Sequence, residues 1–154
     1  MPASLPPNIK FYTVVNETET LTELLDFGTA EPITQELELG PITLRIYNEL
    51  DPMESETYAT ALSPICYVGG DDAEIVGSEE NTWVHIKNID DNGVGVIDDF
   101  TEVTHNNMTG YKALAGLEVA PDTYVTLETT LTVPAGTSGG IYDWEYVIEY
   151  MYTT

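Results

Sequence analysis

A chain of 154 residues with 27 Asp and Glu against 4 Lys and Arg has a formal charge of −23, while 42% of its residues are hydrophobic and 10% aromatic. That apolar share can fill a core, which excludes a disordered acidic tail, and the length suits a single domain with or without an arm. Four isolated basic residues exclude nucleic-acid binding and attraction to anionic membranes, which need clustered Lys and Arg, and no run of roughly 18 apolar residues offers a transmembrane helix.

Residues 1–35 are predicted to form an N-terminal arm with the first strand, and 36–154 a β-sandwich domain. Met1 to Asn8 holds three prolines, which favour an extended segment able to dock on a neighbour. It lacks the basic and apolar regions of a secretory signal, so synthesis in a cytoplasm is expected. Ile9 to Val15 is β-rich, and Leu21, Leu24 and Leu25 predict a helix of two turns over Thr20 to Asp26. In Pro41 to Asn48, Ile42, Leu44 and Ile46 alternate with Thr43, Arg45 and Tyr47, the period-two signature of a strand, here ending at an asparagine.

Tyr58 to Val68 is a weaker β run containing the chain's single cysteine, Cys66, whose apolar neighbours point to a small core residue. Thr82 to Ile89 is β-rich, and Ile75-Val76 and Val94 to Ile97 read as short edges. From Asp122 to Val133, Val125, Leu127, Thr129, Leu131 and Val133 face one way and Tyr124, Thr126, Glu128, Thr130 and Thr132 the other. After the turn Pro134 to Gly140, Tyr142, Trp144, Tyr146, Ile148, Tyr150 and Tyr152 form an aromatic and apolar stripe, expected to be core or interface. These last two segments predict an antiparallel hairpin with a long loop. With Gly, Pro, Asn and Asp clusters between short strands, the fold class is all-β: an antiparallel sandwich of about 7–9 strands.

Catalytic patterns are weak. Gly136-Thr-Ser138-Gly-Gly140 matches a nucleophile-elbow string, but it follows Pro134 and leads into a strand where an elbow needs a helix, so it reads as a turn. His85 and His105 sit in no triad context, and no enzyme activity is expected. Two histidines and one cysteine cannot complete a structural zinc site without carboxylates. Asp90, Asp91, Asp98 and Asp99 are candidate Ca²⁺ ligands, since loop carboxylates gathered at one end of a sandwich supply the oxygens that hard cations prefer. They do not fit the EF-hand spacing, and solvated charge ranks ahead of a metal site. No other cofactor is expected.

At Leu25-Asp-Phe-Gly28, Leu44-Arg-Ile-Tyr-Asn48 and Val133-Pro-Ala-Gly-Thr-Ser-Gly-Gly-Ile-Tyr142 the chain resembles the immunoglobulin-like domains of structural proteins in tailed phages and archaeal tailed viruses. The likeness spans Leu25 to Tyr152, and its short motifs also occur in bacterial surface and carbohydrate-binding modules. It implies an immunoglobulin-like sandwich in a virion: a capsid decoration, turret or tail component without catalysis, partnered by other virion proteins. We expect it to act as a homo-oligomer. The acidity departs from the family and suits a halophilic host, where molar salt shortens the screening length to about 3 Å; an ordinary acidic phage protein is the alternative. Two other functions stay open: a carbohydrate or adhesion module with Trp83 or Trp144 as a flat platform, and an acidic nucleic-acid mimic.

Overall fold

A computed structural model describes residues 4–29, 34–49, 57–77, 83–88, 101–102 and 118–153. In chain order the elements are β1 (Ile9–Val15), β2 (Thr18–Leu21), β3 (Leu37–Asn48), β4 (Ala61–Gly69), the single helical turn α1 (Ala73–Val76), β5 (Val84–Asn88), β6 (Thr101–Glu102), β7 (Glu118–Val119), β8 (Thr123–Val133) and β9 (Glu145–Met151). They form two open antiparallel sheets, one of order β2-β1-β3-β8-β5-β6 and one of order β7-β4-β9.

The long strands β3 and β8 lie at the centre, and each alternates over the stretch where they pair from Ile42 to Asn48 and Thr123 to Thr129. Leu44 pairs with Leu127 and Ile46 with Val125 on the face turned toward the second sheet. Ile46, Val125 and Leu127, with Val84 and Ile86 of β5 and Cys66 and Val68 of β4, are buried in one shared core, and Leu44 is buried as well. Each such side chain contributes about 1.5–3 kcal/mol on leaving water. β3 begins earlier than the alternation alone suggests: the register slips between Leu39 and Ile42, and pairing resumes beyond it. Gly40 makes the slip possible, with φ +96° and only 2.9 Å between a Cβ placed there and the carbonyl oxygen of Thr129.

The segment predicted as a helix over Thr20 to Asp26 is not helical. Its first residues complete β2, paired with β1 across a tight turn in which Asn16 and Glu17 both take left-handed φ, 48° and 65°. Leu21 and Leu24 stay exposed, so their helical spacing buries nothing. The β8–β9 hairpin is also absent. β8 is paired along both edges, by β3 and β5, and Pro134–Trp144 carries the chain across to the other sheet, where β9 pairs with β4. Ile75 and Val76 belong to the helical turn, and Val94 to Ile97 lies outside the described residues.

The described part of the proline-bearing N-terminal segment, from Ser4 on, lies on the chain's own body. Leu5 bridges Tyr58, its N–H donates to the Thr57 carbonyl at 2.7 Å, and the Ala59 N–H donates back at 2.8 Å. The Tyr150 hydroxyl donates to the Pro7 carbonyl at 3.0 Å.

Candidate functional site

The C-terminal stripe divides along its length. Tyr142, Trp144, Tyr146, Ile148 and Tyr150 pack against the core, whereas Tyr152 is 42% exposed. Trp144 is half-buried, stacked on Phe27 at 5.8 Å and edge-on to Tyr146 at 4.9 Å, while Trp83 is 5% exposed and lies against Tyr142 at 5.0 Å. Trp83 is thus largely covered, while Trp144 keeps part of its surface in solvent.

Tyr146 also links the layers. Its hydroxyl bonds Oγ1 of Thr129, a fully buried residue of the opposite sheet, and Thr129 Oγ1 donates onward to the His85 carbonyl at 3.2 Å. Burial pushes the Tyr146 pKa well above the ordinary tyrosine value, and the bond to Thr129 offsets only part of that rise. Cys66 beside it is buried and its thiol is pushed up to about 12 by the same cause, the opposite of what a nucleophile requires.

A second polar centre closes one end of the sandwich. Asn48, fully buried at the end of β3, donates through Nδ2 to the carbonyls of Ala59 (2.9 Å) and Val119 (2.8 Å) and accepts the Asn8 N–H at Oδ1 (3.0 Å). One side chain thus ties β3 to the N-terminal segment, to the approach of β4 and to β7.

On the outer face of the six-stranded sheet, pairing sets Tyr12 beside Arg45 and Tyr47 beside Tyr124. The Arg45 guanidinium lies 4.6 Å over the Tyr124 ring and bonds Glu19 of β2, which also accepts the Tyr47 hydroxyl at 2.9 Å. Burial, with the bond to Glu19, raises the Tyr47 pKa to about 12; for Arg45, burial acts downward and is outweighed by Glu19, Tyr124 and Tyr47 together. Arg45 Nε is buried without a partner. This cluster was missed from sequence, although the alternation Thr43, Arg45, Tyr47 already placed Arg45 and Tyr47 on one face.

Cation placement is uneven. Lys10, Arg45 and Lys87, three of the chain's four Lys and Arg, pair into rows on that same outer face, at Lys10–Tyr47, Tyr12–Arg45 and Lys87–Glu128. The outer face of the three-stranded sheet carries instead Ile65, Tyr67, Glu145, Val147, Glu149 and Met151, with the Tyr67 hydroxyl donating to Glu149 at 2.8 Å. Gly69 leaves room there for Val147, whose Cγ2 lies 2.6 Å from where a Cβ would stand.

An open depression of about 460 Å³ lies beside α1, floored by Trp83 and Tyr142 and rimmed by Glu74, Ile75 and Pro134. Ser138 sits on the adjoining turn, its carbonyl accepting the Tyr142 hydroxyl at 2.8 Å. His85 lies on β5, its Nδ1 3.2 Å from the Trp83 carbonyl. Asp90, Asp91, Asp98 and Asp99 fall outside the described residues, among which no cluster of three metal-ligating side chains occurs. Among the described residues, no helix is long and apolar enough to cross a membrane.

No protein-family model, no curated protein and no solved structure matches this chain.

Proposed function

We propose that this chain is a non-enzymatic structural protein of a tailed virus, a capsid decoration, turret or tail component, built as an immunoglobulin-like β-sandwich and acting by oligomerisation and docking on the particle. What supports the reading most is how the polar groups are used. The buried or clustered ones, Asn48, Thr129 with Tyr146, and Arg45 with Glu19 and Tyr47, are engaged in fastening strands to one another. At the surface, apolar side chains stand out of a carboxylate coat beside β9, with Ile141 89% and Met151 65% exposed. Exposed apolar groups next to a strand edge suit recognition by area and main-chain pairing, and perturbed groups gathered in a cleft would suit chemistry.

Size-exclusion chromatography with light scattering in molar KCl is expected to show an oligomer, and a protein inventory of purified particles is expected to contain the chain. A persistent monomer that is also absent from particles would remove this function.

A further inference from the structure

The sheet edges differ in length. Among the described residues, the six-stranded sheet ends in β2, four residues, and β6, two residues, and the three-stranded sheet ends in β7, two residues. Short edges offer few main-chain groups to another chain. Among the described residues β9 is the exception: seven residues, no proline, and β4 on one side only. Its inward side chains Ile148 and Tyr150 are only partly buried, so one further strand would extend the cover over them. Its outward side chains include Glu145 and Glu149, four residues apart, and all three described Lys and Arg stand on the far face of the other sheet.

We propose that the open edge of β9 takes an extended basic segment of a partner protein as a fourth strand, with Lys or Arg opposite Glu145 and Glu149 and apolar residues opposite Tyr146 and Ile148. Main-chain bonds supply the pairing, and the i, i+4 basic spacing supplies selection in either strand direction. Charge decides between occupants. A second copy would bring another −23 to the same edge, while a basic segment neutralises it. The proposal rests on reading the chain as an assembly protein.

The test uses the full chain and three capped peptides: Gly-Lys-Val-Thr-Val-Lys-Gly, its Lys-to-Glu counterpart, and the Lys peptide N-methylated on alternate amides. Hydrogen exchange is expected to slow across residues 145–151 with the first, and affinity to fall at least tenfold with each of the others. In the double variant Glu145→Gln with Glu149→Gln, the Lys peptide is expected to bind about fivefold more weakly. Equal binding of the acidic or N-methylated peptide, or no protection of β9, overturns the proposal. So does protection that grows with protein concentration in the absence of peptide, since that assigns the edge to a second copy. A chain found on particles whose β9 ignores the peptide loses this inference alone; absence from particles strikes at the assembly reading itself.

Discussion

Asn48 carries three hydrogen bonds at a position closed to water, so no replacement can keep all of them. Asn48→Leu leaves two carbonyls and one N–H unpaired, each costing about 1–3 kcal/mol, and the urea midpoint is expected to fall by the equivalent of about 3 kcal/mol or more at constant slope. Asn48→Asp is expected to do worse, because it sets carboxylate oxygen against the Ala59 and Val119 carbonyls. Trp144→Ala is expected to cost about 3 kcal/mol, the lower end for a large aromatic, since Trp144 is half-buried against Phe27 and Tyr146. A loss below about 1 kcal/mol in equilibrium unfolding would show that this ring does not support the core.

Strands whose neighbours are long and whose faces differ in polarity were legible in advance. β3, β8 and β9 each alternate with period two: Leu44 and Ile46 are buried while Ile42 is half-buried, the set Val125 to Val133 is buried, and of the stripe expected as core or interface Tyr142 to Tyr150 pack against the core while Tyr152 is exposed. Pairing was not legible, because alternation fixes a face and leaves the partner open. Sequence proximity predicts a β8–β9 hairpin, yet β3 and β5 take both edges of β8. The β1–β2 hairpin escaped notice because its turn is Asn16-Glu17, where Asn-Gly is the usual signal. Glu17 holds φ 65°, a region costly for a side chain with a Cβ. Glu17→Gly is therefore expected to stabilise the fold by about 0.5–1 kcal/mol, read from thermal unfolding. Of the site, the stripe is visible as a pattern, but the division between its covered rings and exposed Tyr152 depends on where β4 begins.

For the whole molecule, charge and burial set two expectations. A formal charge of −23 repels itself over a screening length of about 10 Å at 0.1 M salt and about 3 Å at 1 M, so the melting temperature is expected to rise steeply between 0.05 and 2 M KCl. A flat response would mean that the carboxylates are neutralised by other means. At high pH the sign runs the other way. Burial raises Cys66 from 9.0 and Tyr47 from 10.0, both to about 12, and Tyr146 rises as well, so folding favours their neutral forms. Their stabilising contribution is complete below the unfolded values and is lost as pH climbs from about 9 through 12. Urea midpoints are expected to fall across that window, with tyrosinate absorbance for Tyr47 and Tyr146 appearing only together with unfolding.

Lys10, Arg45 and Lys87 share one outer face, and each has a carboxylate beside it: Glu49 at 4.0 Å from Lys10, Glu19 bonded to Arg45, and Glu128 opposite Lys87. Added salt therefore loosens these local attractions while it relieves the excess of negative charge elsewhere, and the response of the molecule to ionic strength is the balance of the two.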